Sequence, residues 1–293
     1  MTDENDIATA AAGEKRQPDA LAHLIAEALE AQELDRVRAL AEGLRAPDLA
    51  DVIENLEAPQ RVALIQALGN RFDFEALSEL DETVRDELSE ALPNELLARA
   101  VTELETDDAA YLIENLEEAD KQEILAQIST SDRAALERNL EYPEETAGRL
   151  MQTDFVAVPP FWTVGRVIDH MRDTPDLPET FSDIYVVDPT YRVVGSLDLS
   201  RLLRTKRDIP VSQIMSTDGQ NVLATEDQEE VARQFERYDL KSAPVVDANN
   251  RLVGVVTVDD VVEVIEEEAD EDLRRLSGLG DERLTDSVRS IVT

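Results

Sequence analysis

Two textures of apolar and polar positions divide the chain. Over residues 21–140 apolar residues recur at helical spacing, as in Leu21, Leu24, Ile25 and Leu29, and no alternating strand pattern interrupts them. After Tyr142 the pattern changes to short apolar runs between turn residues. An extended stretch at 151–160 is followed by helix, strand, strand and helix, and the last part of this order then recurs. In the first copy Val164, Val167, Ile168 and Met171 mark one helix face, 184–187 reads as a buried strand and 193–197 as its hairpin partner. In the second, Val231, Phe235 and Tyr238 mark the helix, and Val245, Val246 and 252–258 the strands. Asp188-Pro189 and Asn249-Asn250 supply the turns. Each copy runs to about 60 residues, a size at which a lone core is marginal, so the two are expected to pack sheet to sheet. Gly195 and Gly254 fall inside strands, where a glycine permits close backbone approach.

The duplication is legible directly, as IYVVDPTYRVVGSLDLSRLL at 184–203 and APVVDANNRLVGVVTVDDVV at 243–262. The helical half carries a repeat of its own. The boxes IENLE, SELDE, TELET, IENLE and ERNLE place leucines at Leu56, Leu80, Leu104, Leu116 and Leu140. That spacing predicts paired short helices that must stack to bury a core. The opening MTDENDIATAAAGEKRQP is small and polar and reads as a disordered tail. The expected organisation is therefore a tail at 1–20, a helical domain at 21–141, α/β copies at 142–206 and 207–266, and an acidic connecting helix at 267–293. The fold class is an all-α superhelical repeat domain followed by a tandem α/β pair.

Charge narrows the function. With 66 Asp and Glu against 28 Lys and Arg, the formal net charge is −38, which repels nucleic acid and anionic membrane surfaces and attracts cations. No cysteine occurs, which excludes disulfides, thiolate nucleophiles and sulfur-ligated metals. No leader pattern or membrane-length apolar run is present, since 252–258 is cut short by Asp259 and Asp260, so a soluble chain is expected. His23 and His170 are the only histidines, and neither a Gly-x-Ser-x-Gly turn nor a phosphate loop is visible, so no enzyme is expected. His170 reads as a surface helix residue, and Trp162 as packing at the start of its helix.

Nine acids lie at Asp259, Asp260, Glu263, Glu266, Glu267, Glu268, Asp270, Glu271 and Asp272. On a helix, Asp260, Glu263, Glu267 and Glu271 share a stripe of mutually repelling charges. Arg274 and Arg275 suit the C-terminal end of the dipole but leave most of the stripe uncovered. Charge pattern alone leaves two alternatives: a solvated face, of the kind proteins from salt-rich cells display, or a cation site. For a cation, magnesium (Mg2+) suits oxygen ligands and retained waters, and no calcium loop with its central glycine is present.

Residues 214–262, IMSTDGQNVLATEDQEEVARQFERYDLKSAPVVDANNRLVGVVTVDDVV, resemble a CBS domain, and the first copy is a looser match. Taken with LETDDAAYLIENLE at 104–117, EETAGRLM at 144–151 and TVDDVVEVIEEEADEDLRRLSG at 257–278, the chain resembles the cytosolic part of the MgtE-type magnesium channels over about residues 21–285. The resemblance implies a magnesium-sensing regulatory module whose ion-bound form is compact and holds a pore closed. It implies one ligand group at Glu75, Asp107, Asp260 and Glu263, another at Glu268, Glu271 and Asp272, and a third at Glu229 and Asp239. Three positions depart from the family pattern: Tyr111 in place of an Asp, Arg149 in place of a glycine, and Glu236 at a backbone-ligand position.

CBS pairs also hold adenine nucleotides such as ATP, which implies Thr257 and Asp260 as nucleotide-binding residues. In the first copy Arg201 replaces the corresponding Asp, and Ser182 and Asp183 replace aromatic residues. The resemblance further implies a homodimer through the CBS helices and a five-helix transmembrane pore domain, which in that family follows directly. This sequence ends at Thr293, where the pore would begin, so either a shortened form or a stand-alone sensor is expected, with no transport by this stretch alone. The implied location is cytoplasmic, at the inner face of the plasma membrane if joined to a pore. Two alternative functions stand beside this one, a nucleotide-responsive CBS regulator and an acidic helical-repeat scaffold.

Overall fold

The computed structural model describes residues 18–276 except 176 and 179, and only the backbone at 266, 267 and 270–276. It divides into two compact units, one of residues up to Leu104 together with Asp108–Arg133, the other of Glu105–Asp107 and residues from Ala134 onward.

Among the described residues nine short α-helices form the helical part: α1 Pro18–Glu30, α2 Leu34–Ala41, α3 Ala46–Glu54, α4 Ala58–Leu68, α5 Glu82–Ala91, α6 Asn94–Glu103, α7 Thr106–Ile113, α8 Glu118–Leu125 and α9 Thr130–Leu140, of which α7 and α9 contribute to both units. Helix α1 begins at Pro18, inside the stretch expected to be a tail, because proline is tolerated in a first turn where its missing N–H costs nothing. Residues 18–20 of the expected tail are thus helical, and 1–17 lie outside the described residues.

The leucine boxes mark where helices stop. Leu56 follows α3 and donates its N–H to Ile53 O at 3.1 Å, and Leu116 follows α7 and donates to Ile113 O at 3.2 Å. Leu56, Leu80 and Leu116 are buried, while Leu104 and Leu140 are half-buried. Leu104 likewise follows α6 and donates to Ala100 O at 2.9 Å, while Leu140 is the last residue of α9. Arg61 reinforces one such joint. Its Nε donates to Ile53 O at 3.1 Å and its Nη2 to Glu54 O at 3.2 Å, covering carbonyls at the end of α3, while Nη1 meets Glu87 at 2.7 Å.

The second unit holds two sheets with the same topology. In the first, β1 Ala157–Val158 runs parallel to β2 Asp183–Val187, which pairs antiparallel with β3 Val193–Asp198. In the second, β4 Val222–Leu223, β5 Ser242–Val246 and β6 Leu252–Thr257 repeat that order. Helices α10 Ala147–Leu150, α11 Val164–Asp173, α12 Leu199–Leu203, α13 Gln228–Tyr238 and α14 Val258–Leu276 complete the unit. The sequence pattern carries the last strand through Val258; the structure ends it at Thr257, because Asp260 caps a helix that already includes Val258.

Both hairpin turns hang on an aspartate. Asp188 Oδ1 accepts from Thr190 N at 2.8 Å, Thr190 Oγ1 at 2.7 Å and Arg192 N at 3.0 Å, and Asp247 Oδ1 accepts from Asn249 N at 2.8 Å and Arg251 N at 2.9 Å. The Thr190 hydroxyl bond holds Asp188 below the usual carboxylate range, and the Arg251 backbone bond does the same for Asp247. The hairpins meet through Leu252 N to Tyr191 O at 3.0 Å and Val193 N to Asn250 O at 3.3 Å, over a shared buried cluster of Tyr185, Val187, Leu252 and Val255. The expected sheet-to-sheet packing is present.

The leading segments of the two copies are exchanged. Ala147, Leu150 and Met151 precede the first copy in sequence but lie in the core of the second, with Val231, Phe235 and Val245. Val211 lies in the core of the first, with Ile214 and Met215 packed against it. Gly254 and Gly195 receive these segments: an added Cβ would sit 2.5 Å from Met151 Sδ in one and 2.5 Å from Ser216 O in the other. A repeated Met-x-Thr-Asp, at 151–154 and 215–218, is the sequence mark of the exchange.

Candidate functional site

The acidic helix α14 grows out of the second copy without a break. Thr257 N and Oγ1 both donate to Asp260 Oδ2, at 3.0 and 2.6 Å, so the acid reaches back over the first turn as in a capping box. Burial pushes the Asp260 carboxyl above its usual range; the Thr257 bonds oppose that shift and the Asp259 charge adds to it. Val261 and Val264 anchor one face in the core, while Val258, Val262 and Ile265 are about half exposed, at 44, 48 and 49%. Glu263 is exposed, and half-buried Glu268 accepts from Gln228 Nε2 at 3.4 Å. Glu271 and Asp272 belong to the backbone of α14, and their side chains lie outside the described residues.

The other expected ligands are dispersed. Glu229 is exposed in the first turn of α13 and pairs with Arg233 at 2.6 Å. Asp239 ends that helix in a left-handed conformation with φ 50°. In the first unit, Glu75 is exposed and its N–H meets Asp73 Oδ1 at 3.3 Å. Burial, followed by the Glu75 charge, lifts its neighbour Glu79 above the usual range. Asp107 is 3% exposed. Among the described residues no three His, Asp or Glu side chains are grouped so as to hold a metal ion.

The departures have structural consequences. Tyr111 lies under Arg85, whose guanidinium carbon is 5.4 Å from the ring centroid. Arg149 is 4% exposed, and its carbonyl accepts from buried Asn139 Nδ2 at 3.0 Å; Glu236 is exposed.

A cleft of about 290 Å³ lies between the two copies, lined among others by Asp183, Tyr185, Asp198, Asp239, Lys241 and Ser242. Ser242 Oγ meets Tyr185 Oη at 2.6 Å and Asp183 Oδ2 at 2.8 Å, and Ser182 donates to the same carboxylate oxygen at 2.8 Å. Burial drives the Tyr185 hydroxyl well above its ordinary pKa, so it stays protonated and serves as a hydrogen-bonding group. Neither Thr257 nor Asp260 lines this cleft. The Thr257 hydroxyl donates to the Asp260 carboxylate. Sequence reasoning missed Tyr185, Asp198, Lys241 and Ser242, because the cleft forms only when the two copies meet; of its lining, Asp183 and Asp239 were singled out from the sequence.

A model of the MgtE intracellular N domain matches residues 44–145, and the CBS domain model matches 147–208 and 211–267. Among solved structures, the cytosolic domain of the Mg2+ channel MgtE in complex with ATP superposes with a TM-score of 0.75 at 34% identity, over 83% of this chain and 99% of that one. This chain belongs to the MgtE family.

It comprises the helical MgtE N domain and a CBS pair, the makeup of an MgtE cytosolic regulatory region. The soluble part of a magnesium transporter gives a TM-score of 0.73 at 27% identity, over 86% of this chain and all of that one, at 100%. The magnesium transporter MgtE of Thermus thermophilus is 43% identical over 138 residues, covering 47% of this chain and 31% of the relative. That of Bacillus subtilis is 37% identical over 139 residues, again 47% and 31%. This chain thus spans about a third of the length of the curated relatives it matches. Among its described residues no helix is long and apolar enough to cross a membrane. The relatives are named as magnesium transporters, not as enzymes.

Proposed function

We propose that this chain is the magnesium-sensing regulatory module of an MgtE-type channel. The observation that carries the proposal is the continuity of α14: Asp260 and Glu263 stand in its first turns while Val261 and Val264 fix the same turns to the second CBS core. The donor set is entirely oxygen. Magnesium retains several waters and is held by one or two carboxylates at a time, so dispersed carboxylates suit ions that bridge elements rather than a closed cage. Both hydrogen bonds that Thr257 donates to Asp260 fall on Oδ2.

Without magnesium, like charges on a chain of net charge −38 repel and favour an open form. Bound ions at Glu75, Asp107, Asp260 and Glu263, and at Glu268, Glu271 and Asp272, with Glu229 and Asp239 as a further pair, neutralise that repulsion and favour a compact form. In the whole protein the compact form holds the pore closed from the cytosolic side, in a homodimer. Closure then raises magnesium affinity, because linkage is reciprocal. A titration from chelator to millimolar magnesium at constant ionic strength tests this, with protease resistance and small-angle scattering as readouts. An unchanged chain sinks the proposal.

A second ligand, adenine nucleotide, is favoured by the ATP complex of the related MgtE cytosolic domain and by the cleft between the copies. Compaction by ATP in the absence of magnesium is its mark.

A further inference from the structure

The exchanged leading segment does more than fill space. We infer that Met151 is a positioning residue for the acidic helix, and that conformational strain passes from α9 to α14 through the second CBS copy alone, bypassing the first. This rests on the magnesium-sensing reading for its purpose, but the coupling itself rests on packing within the second unit.

The path can be followed atom by atom. Asn139, at the end of α9, is 0% exposed, and its Nδ2 lies 3.2, 3.0 and 3.1 Å from the carbonyls of Gly148, Arg149 and Met151. One amide therefore grips the junction that follows the helix. The junction is bonded in turn to the second copy: Ala147 N to Glu226 O at 2.8 Å, Gly148 N to Ala224 O at 2.8 Å, and Gln228 N to Glu145 O at 2.9 Å. Leu150 and Met151 share a buried cluster with Val261 and Val264 of α14. Gln152 exchanges two backbone bonds with Val255, at 2.9 and 3.0 Å, and the strand holding Val255 runs directly into that helix. Because packed interiors transmit displacement rather than absorb it, a shift of the α9 end is delivered to the turns bearing Asp260 and Glu263.

The first copy has the same device, wired elsewhere. Met215 packs on Gly195 and Ser216 exchanges two bonds with Ser196, at 3.0 and 2.8 Å. That segment is the link between the copies, and β3 there leads only into the five residues of Leu199–Leu203. Among the described residues, the first copy's buried cluster includes no residue of the acidic helix.

Hydrogen exchange on the full chain, in chelator, tests the assignment. Met151→Ala should speed exchange of residues 258–265 about tenfold, equivalent to ~1.4 kcal/mol of lost protection, and Met151→Leu should restore it. The mirror variant Met215→Ala should leave those residues within about twofold of wild type. Asn139→Ala should speed exchange at 258–265 without altering strand Asp183–Val187, a split that general loss of stability does not produce. Gly254→Ala, whose methyl must evict Met151, repeats the test if Met151→Ala fails to fold. Equal acceleration of α14 by the Met151 and Met215 variants, or none by either, overturns the inference. Magnesium chloride added to wild type separates the two ideas: coupling without any magnesium response leaves the inference standing and removes the sensing function.

Discussion

The two CBS copies finish the same hairpin in opposite ways. The first ends in the five-residue helix Leu199–Leu203, and the second in the nineteen-residue Val258–Leu276. At the matching positions the first has Asp198, whose side chain makes no cap bond, and exposed Arg201; the second has Thr257 and Asp260 locked together. One duplicated scaffold thus carries a short stop on one side and a capped, acidic lever on the other. Each copy keeps its own buried cluster, a smaller one of Tyr185, Val187, Leu252 and Val255 joins them, and the polar residues at the two helix starts differ.

That comparison can be broken most forcefully in the core. Phe235, 3% exposed in the second copy, should cost about 3–5 kcal/mol when replaced by alanine. Trp162, the only tryptophan, sits in the first copy with its ring 5.2 Å from His170. In a urea titration of Phe235→Ala, its fluorescence should therefore shift with the circular dichroism. A tryptophan transition that stays put would mean that the copies fold separately.

The next effect sharpens the chemical difference. Asp260→Ala combined with Glu263→Ala should raise the magnesium midpoint for compaction about tenfold, or ~1.4 kcal/mol, while leaving the CBS core folded. If that double variant compacts normally, the ligand assignment is wrong. Thr257→Val should then cost about 1–2 kcal/mol by leaving half-buried Asp260 without its hydroxyl donor, read as a lower melting temperature. Tyr185→Phe, across the cleft in the other copy, removes a hydroxyl bonded to Ser242 and should cost about 1 kcal/mol.

The smallest effect concerns what the copies share. Asp188 and Asp247 are held below their ordinary pKa, so their contribution to the turns is present above the unfolded value of about 3.9 and fades as pH falls through the folded values. Asp188→Asn and Asp247→Asn should each lower the melting temperature slightly at neutral pH, and the difference from wild type should shrink in acid. A difference that grows in acid would show that the turns do not depend on the charge.

The helices, both hairpins and their turns were legible because each rests on neighbours in sequence: a 3.6-residue or two-residue period, an Asp at a turn, a leucine after a helix end. The acidic run was legible for the same reason. The start of α14 was misplaced by one residue at Val258, since apolar content says strand while the cap that decides lies at Asp260. The candidate ligands came from the family resemblance, which carries no information about their burial. Nothing near Asp107 in sequence announces that it is 3% exposed, or that Glu229 is taken by Arg233.

Residue pattern alone therefore settles the elements, the duplication and the excess of negative charge. Tertiary packing decides which segment serves which copy. Met151 lies against Gly254 and Met215 against Gly195, where the lack of a side chain leaves room for the methionine and for the backbone beside it. Such complementarity is a property of surfaces brought together from distant parts of the chain, and it carries no period that a local reading could detect.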